Sequence, residues 1–360
     1  MSVPSAGDEA QTMTTTATLD WRRAQAYLAE RGHDLALDPA PRRLSGGFAN
    51  LNYLVYFDGA PAVLRRPPHG EIPPGAHDMG REHRILARLH EAFPLAPRGL
   101  LLCDDPAILG APFQLLEYRE GVTIEASLPA TQGDPERLAA GLGAMMIEVL
   151  AELHRVDPAA VGLDTLGRPA GFLERAVRGW LRRARLCFET FDDGVPASVE
   201  RLALWLEDNQ VPDRACDLLH NDFKLNNILL DRDTYAPVAV LDWDQGTRGD
   251  GLFDLATLLS YWTEEGDPPA MHAMAQMPTA SPGFPTREAA ARRYAALSGR
   301  DLSDFRFHRV LGQLKTAVIF AQLYARWRSG GTDDPKYAEF GPLALGLLDV
   351  AEEIARGLRF

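Results

Sequence analysis

The sequence predicts an α+β protein of two lobes, in which a small antiparallel sheet precedes a large, mostly helical lobe. Short alternating apolar runs bounded by Gly and Pro dominate the chain up to about residue 120. Helical periodicity dominates from about residue 134 onward. A chain of 360 residues is long enough to bury two such lobes. We therefore expect a disordered, Thr-rich leader over residues 1–17, an N-terminal lobe over 18–120 and a C-terminal lobe over 121–360.

The N-terminal lobe is expected to begin with a short helix and a hairpin. Asp20 is a good N-cap for a helix that runs to Arg31, where Gly32 ends it. Leu51–Phe57 alternates as a strand does, Asp58-Gly59 suits a hairpin turn, and Ala62–Arg65 begins the return strand. Two further apolar runs, 99–103 and 113–118, bring the predicted sheet to about five strands.

Two features of this lobe suit phosphate binding. The turn Gly46-Gly47 precedes the first long strand, and its small residues would let backbone N–H groups approach a phosphate. A plain β-turn is the commoner role of an isolated Gly-Gly. The segment 77–93 predicts a helix in which Glu82 shares an otherwise apolar side. A buried Glu needs a cation, for which Arg65 is the candidate, whereas a surface Glu would need none.

The C-terminal lobe is predicted to consist mainly of helices that follow a short crossover near residues 117–121. A stripe of Leu and Met ending at His154 marks the first helix. Residues 263–285, rich in Pro, Met and Gly, predict a loop or a lid-like insertion. Further helices are predicted over 171–189, 197–209, 252–262, 286–297, 302–328 and 337–357.

Residues 220–254 hold the densest group of chemically useful side chains. The apolar runs 228–230 and 238–241 flank a polar turn and predict a small hairpin. Asp222 and Asn227 precede this hairpin and Asp242 follows it, so the three side chains are expected to converge at one edge. Two carboxylates and a carboxamide form an oxygen-rich site of the kind that Mg²⁺ prefers.

Composition excludes several classes of protein. A net charge of −13 argues against nucleic acid as a partner, because phosphate backbones are bound by Lys and Arg. No apolar run reaches the roughly 20 residues of a membrane span, and no secretion signal is recognisable. The three widely spaced Cys predict buried, reduced thiols in a cytoplasmic protein. The sequence gives no indication of the oligomeric state.

Six motifs in order resemble the aminoglycoside phosphotransferase family, kinase-like enzymes whose relatives include choline and homoserine kinases. Within this family, the chain most resembles the kinase-like domain found beside acyl-CoA dehydrogenases. The resemblance implies a bilobal protein-kinase-like fold. It spans roughly residues 42–260, and its motifs are SGGFANLNYLV, VLRRPP, HDMGREHRILARL, LLEYREG, HNDFKLNNILLD and VLDWDQGTRGDGLFDLA.

The resemblance implies roles for the residues around the predicted hairpin. Asp222 would be the catalytic base, and Lys224 would neutralise charge on the transferred phosphoryl group, although a solvated surface Lys is an alternative. His220 would orient the loop. Asn227 and Asp242 would hold Mg²⁺, with Asn226 as a competitor for the place of Asn227.

Other acids of this motif have roles that the resemblance leaves open. Asp244 would add a metal or substrate contact or be structural, while structural roles are favoured for Asp250 and Asp254.

The resemblance also implies a nucleotide site for ATP or GTP. Gly46 and Gly47 would face the phosphates. Arg65 stands where kinases have a phosphate-binding Lys, and Glu82 would be its helix partner. Arg keeps the charge but is planar and bulkier, so the phosphate geometry must differ. Backbone groups of Glu117 and Arg119 would read the adenine edge.

The function implied is an ATP- and Mg²⁺-dependent phosphotransferase that moves the γ-phosphate to a hydroxyl of a small molecule. The alternative is a catalytically inactive, nucleotide-binding regulatory module, which Arg65 supports and the intact acids oppose. A protein kinase is disfavoured because Asn221, not Arg, precedes Asp222 and leaves nothing to bind an activation-loop phosphate. The sequence does not identify the acceptor.

Overall fold

A computed structural model of the chain describes residues 19–44, 50–68, 77–130 and 133–360. The predicted leader and the Gly46-Gly47 turn lie outside the described residues, so both stay predictions. Within the described part, a six-stranded sheet with its helices precedes a mostly helical region. The predicted two-lobe α+β class is therefore confirmed, while the residue at which one lobe passes into the other stays a prediction.

The N-terminal lobe is built on one antiparallel sheet with the strand order β1-β3-β4-β6-β5, and β2 also pairs with β3. Its elements are α1 (Trp21–Ala29), β1 (Leu35–Ala36), β2 (Arg42–Arg43), β3 (Leu51–Phe57), β4 (Ala60–Arg66), α2 (Met79–Leu89), β5 (Gly99–Cys103), α3 (Pro106–Leu109) and β6 (Phe113–Glu117). Asp20 caps α1 as predicted, because its carboxylate accepts a hydrogen bond from the backbone of Arg23.

The C-terminal lobe places two small antiparallel strand pairs among its helices. Strand β8 pairs with β9 as the predicted hairpin, and β7 pairs with β10. Helix α10 is the longest and packs on α5, α7 and α11. The elements are α4 (Pro135–Leu153), α5 (Phe172–Phe188), α6 (Ala197–Asp208), β7 (Asp217–Leu219), β8 (Ile228–Leu230), β9 (Pro237–Val240), β10 (Thr247–Gly249), α7 (Gly251–Ser260), α8 (Pro269–Met274), α9 (Arg287–Ser298), α10 (Phe305–Arg328) and α11 (Phe340–Ala355).

Helix α2 joins the two lobes through its buried side. The predicted stripe is confirmed, since Met79, Glu82, Ile85, Leu86 and Leu89 are all buried. The helix packs on β5 and β6 and also on the turn that follows Asp242. Ile85, Leu86 and Leu89 belong to the same buried cluster as the core of the C-terminal lobe, so the lobes share one core at this point.

A second apolar cluster lies on the other face of the sheet. It includes Leu28 of α1, Val55 of β3 and Phe113 of β6. Val63 contacts the large cluster whereas Leu64 lies in the second one, as alternate residues of a strand should. The sheet is therefore covered on both faces, by α1 on one and by α2 on the other.

Two expectations were wrong in part. Residues 263–285 are mostly loop, as predicted, but α8 lies within them and Met271, Met274 and Met277 are buried in the main core. All three Cys are free thiols, but only Cys103 is buried, and Cys216 is exposed. No helix among the described residues is long and apolar enough to span a membrane.

The packing of α8 gives a stability prediction. Met271→Ala should lower the free energy of unfolding by about 2–5 kcal/mol, because it leaves a cavity in the shared core. Urea denaturation would measure the loss. His272→Ala is the matched control, since His272 is exposed on the same helix and its loss should cost less than about 0.5 kcal/mol. Equal, small effects of both substitutions would mean that this segment is loosely attached after all.

Candidate active site

The candidate active site begins with a loop that is held by a buried acid. Strand β7 ends at Leu219, and Asp254 on α7 accepts hydrogen bonds from the backbone N–H groups of His220 and Asn221, both at 2.7 Å. Burial alone would raise the pKa of Asp254, but a hydrogen bond from His154 and the nearby positive charges hold it below its usual value. These contacts suit the structural role predicted for Asp254, which holds the two residues that precede Asp222.

His220 links this loop to the strand that carries the second acid. Its Nε2 donates to the carbonyl of Leu241 at 2.8 Å, and its Nδ1 accepts from the N–H of Asp222 at 3.2 Å. A ring that donates at one nitrogen and accepts at the other fits a neutral imidazole. The ring is fully buried beside Trp243, 4.7 Å between centroids. These contacts suit the orienting role predicted for His220.

Asp222, Lys224 and Asn227 form one hydrogen-bonded group. Lys224 Nζ lies 3.0 Å from each carboxylate oxygen of Asp222. Asn227 donates from Nδ2 to the backbone carbonyl of Asp222 at 2.8 Å and to its carboxylate at 3.1 Å. Burial would lower the pKa of Lys224, but the charge of Asp222, the hydrogen bond to it and the charges of Tyr261 and Asp242 together outweigh burial and raise the pKa. Lys224 is therefore a cation in this group, not a solvated surface Lys.

Asp242 joins the N-terminal lobe to the site through Arg65. Arg65 Nε donates to Glu82 Oε2 at 2.8 Å, and its Nη2 forms an ion pair with Asp242. The predicted pairing of Arg65 with Glu82 is present, whereas the direct bond to Asp242 was not predicted from the sequence. Asp242 has a left-handed backbone, φ 68°, a conformation that a non-Gly residue keeps only when its surroundings hold it.

Glu82 is the most enclosed acid of the group, with 1% of its side chain exposed. Besides Arg65, it accepts hydrogen bonds from Gln114 Nε2 at 2.7 Å and from the backbone N–H of Trp243 at 3.2 Å. Burial raises the pKa of Glu82, and the charge of Arg65 opposes that rise. Its contacts come from β4, β6 and the C-terminal lobe, so Glu82 fixes the relative position of all three.

Acidic groups are crowded around Asp242. Asp244 is buried, and burial together with the charges of Asp242 and Glu82 raises its pKa to about 7. Its backbone carbonyl accepts from Arg81 at 3.1 Å, so part of its role is structural. No cluster of three or more His, Cys, Asp or Glu arranged for a metal occurs within the described ranges.

The donors nevertheless fit Mg²⁺. A divalent cation beside Asp242 would relieve the like-charge crowding that raises the pKa of Asp244. Asp242 keeps 27% of its side chain exposed, so an ion can reach it. The amide oxygen of Asn226 is buried without a hydrogen-bond partner among the described residues, which keeps Asn226 a competitor of Asn227.

The crossover from β6 into the C-terminal lobe is rigidly held. The guanidinium of Arg119 donates to the carbonyls of Pro94, Ala96 and Val238 and to the Glu117 carboxylate. The backbone N–H of Glu117 already donates to the backbone carbonyl of Arg98 at 2.8 Å. A nucleotide could therefore use the carbonyl of Glu117 but not its N–H group. Of the backbone groups predicted to read the adenine edge at Glu117, only the carbonyl is left.

Two contacts near the loop that holds Asp222 were not predicted from the sequence. One is the Arg65–Asp242 bond, because nothing in the spacing of residues 65 and 242 relates them. The other is Lys315, which is buried in α10 and donates to the backbone carbonyl of Asn221. A Lys in the middle of a predicted helix rich in apolar residues was the available signal for Lys315.

Comparisons with known proteins agree with this geometry. The family profile described as "Phosphotransferase enzyme family" matches residues 41–297. Mouse acyl-CoA dehydrogenase family member 10 is 31% identical over 312 residues, which cover 86% of this chain. The chain spans only 28% of the length of that relative.

Two solved structures share the fold. A Ralstonia eutropha protein classed with the aminoglycoside phosphotransferases has a TM-score of 0.75 at 21% identity, covering 94% of this chain and 99% of its own. A thermostable mutant of aminoglycoside phosphotransferase APH(4)-Ia, in a ternary complex with ADP and hygromycin B, has a TM-score of 0.53 at 20% identity, covering 90% and 97%. At these identities the likeness establishes a kinase-like phosphotransferase fold.

The role of Asp254 predicts a pH-dependent loss of stability in a variant. Asp254→Asn should lower the free energy of unfolding by about 1–3 kcal/mol at pH 7, because an amide cannot accept both backbone hydrogen bonds in the same way. The folded-state pKa of Asp254 is depressed, so its contribution is present above the unfolded pKa of about 4 and is lost as pH falls through the folded value.

Urea denaturation at pH 7 and at about pH 3 would measure the difference between wild type and variant, which should shrink at the lower pH. Asp233→Asn, at an exposed Asp in the β8–β9 turn, is the control and should be close to neutral at both. A difference that grows in acid would contradict the assigned sign.

Proposed function

Because the chain belongs to the phosphotransferase enzyme family, we propose that it transfers the γ-phosphate of ATP or GTP to a hydroxyl group of a small molecule. The observation that carries the proposal is the group formed by Asp222, Lys224 and Asn227, placed beside Asp242. The motif order and the family together favour phosphoryl transfer over other uses of such a group.

Asp222 is the proposed general base. Its carboxylate accepts hydrogen bonds from Lys224 and Asn227, and 24% of its side chain is exposed, so an acceptor hydroxyl can reach it. The carboxylate would orient that hydroxyl and accept its proton during in-line attack on the γ-phosphorus. Lys224, a cation 3.0 Å away, would stabilise negative charge that develops on the transferred group.

Asn227 and Asp242 are the proposed Mg²⁺ ligands, with Asn226 as the competitor for the first place. Bound there, the ion would bridge the nucleotide phosphates and neutralise their charge. Asp242 is held close to the loop because the carbonyl of the preceding Leu241 accepts from His220. Its carboxylate thus faces both the loop and Arg65, where charge from the phosphates would be greatest.

The proposed nucleotide site uses Arg65 and the crossover. Arg65 would contact phosphate while Glu82 holds its Nε, so the guanidinium would exchange Asp242 for a phosphate oxygen. The carbonyl of Glu117 and the N–H of Arg119 would face the adenine edge. The APH(4)-Ia structure contains ADP, which supports nucleotide use by a chain of this fold.

The acceptor is proposed only as a small molecule with an alcohol group. Hygromycin B bound to APH(4)-Ia is an example of such an acceptor in that protein. The alternative, an inactive nucleotide-binding module, is favoured by one observation, the ion pair that Arg65 makes with Asp242. If that ion pair persisted with nucleotide bound, Asp242 would be less available to a metal.

The proposed function is tested by ADP release with Mg²⁺-ATP or Mg²⁺-GTP and a panel of amino sugars, amino alcohols and hydroxyacyl-CoA compounds. We expect at least one acceptor to raise ADP release well above the level of an Asp222→Ala variant. Nucleotide binding without any such stimulation would instead support the inactive module. The variant removes the carboxylate proposed as the general base and leaves Asn227 and Asp242 in place, so it serves as the background.

Two substitutions separate the proposed roles of the acids. Asp222→Asn should lower turnover by about 10²- to 10⁴-fold and leave nucleotide affinity unchanged, because it removes the base but not the metal site. Asp242→Asn should lower turnover and also weaken Mg²⁺-nucleotide binding by about 10- to 100-fold. Calorimetry with Mg²⁺ and the nucleotide would measure both affinities. The assignment is wrong if both variants lose nucleotide affinity equally.

A further inference from the structure

Lys315 is a buried cation that the proposed reaction does not yet use. It lies in the middle of α10, and only 5% of the residue is exposed. Its Nζ donates to the backbone carbonyl of Asn221, the residue before Asp222, and lies 3.3 Å from the hydroxyl oxygen of Thr257. The rings of Phe253 and Trp180 flank it, at 5.2 and 5.9 Å from Nζ to the ring centroids.

The contact with Asn221 completes the hydrogen bonding of one peptide unit. The carbonyl of Asn221 accepts from Lys315, and the N–H of Asp222 in the same peptide plane donates to His220 Nδ1. The N–H of Asn221 donates to Asp254. Asn221 is left-handed, φ 66°, a conformation that a non-Gly residue keeps only when its surroundings hold it.

We propose that Lys315 is a positioning residue for Asp222. Lys315 fixes the plane of the peptide that joins Asn221 to Asp222, and it supplies a buried positive charge near the catalytic carboxylate. The inference rests on the proposed function of Asp222 and extends it to a helix outside the recognised motifs. A displacement of a catalytic group by about 1 Å can cost about 10²-fold in rate, so a fixed peptide plane at this point has a direct effect on turnover.

The surroundings of Lys315 are costly for a cation. Asp222 and Lys224 face it from the loop, Asp254 from α7 and Arg183 from α5. Burial, with Lys224 and Arg183, lowers its pKa to about 8, although Asp222 and Asp254 oppose the shift. Among the described residues, no carboxylate lies within hydrogen-bond distance of Lys315. A buried ammonium in that situation does not stabilise the fold, so the hydrogen bond to the loop is the interaction that explains a Lys at this position.

Lys315→Met tests the proposal, because Met keeps the apolar stem and removes both the donor and the charge. Gln313→Leu is the matched control, since Gln313 is equally buried on α10 but its amide contacts Met271 and not the loop. Amide hydrogen exchange over residues 219–224 at pH 7 would report the loop. ADP release with water as acceptor, nucleotide affinity and the pH profile of turnover would report its function.

We expect Lys315→Met to raise exchange in this loop by about 10-fold or more over Gln313→Leu. It should lower turnover by about 10- to 100-fold at unchanged nucleotide affinity. Wild-type turnover should fall as pH rises above about 8, when Lys315 loses its proton, and the variant should lack that alkaline decline.

The proposal is overturned if loop exchange is the same in both variants, whatever happens to activity. An alkaline decline that persists in Lys315→Met would also overturn the electrostatic half of it. If exchange rises but wild-type protein releases no ADP with water or with any acceptor of the panel, the contact of Lys315 with the loop stands and the proposed function fails. The two failures are therefore distinguishable.

Discussion

The carboxylate of Glu82 is the constraint on which the rest of the site depends. A carboxylate that is almost fully enclosed must have its lone pairs satisfied, and here the donors are Arg65, Gln114 and the backbone of Trp243. These donors come from two strands of the sheet and from the residue that follows Asp242. The position of the proposed metal ligand is thereby set by an acid of the other lobe. Arg65 transmits the same constraint, because its second bond is made to Asp242 itself.

The loop around Asp222 is held on its other side by side chains of two helices. The carboxylate of Asp254 accepts from the N–H groups at the start of this loop, and the ammonium of Lys315 donates to the carbonyl of Asn221. Charges of opposite sign therefore hold the same short segment. Ion pairs and buried charges of this kind contribute little net stability, since their desolvation is costly. What they supply is a single geometry for a strained backbone. The site is therefore defined by buried polar contacts more than by the apolar core beneath it.

The sequence predicted the parts of the structure that depend on local pattern. The stripe of α2, the hairpin β3–β4, the pair β8–β9 and the Arg65–Glu82 contact could be anticipated from spacing and charge. The three-residue strands β7 and β10 could not, because pairing between residues 217–219 and 247–249 is decided by tertiary packing. The burial of residues 263–285 was not predicted for a related reason. Their Pro and Gly suggested a loop, while the Met side chains had a place in the core that only the folded chain provides.

The core shared through α2 has a consequence for synthesis of the chain. The apolar stripe of α2 is made early, but part of what covers it is the turn Trp243–Gln245, far along the chain. Gly246 belongs to that surface too, since a Cβ there would collide with Ile85. A nascent chain emerging at about 5–20 residues per second must therefore carry an exposed apolar helix for several seconds or longer. The buried side of α2 is therefore fully covered only after residues 243–246 have been made.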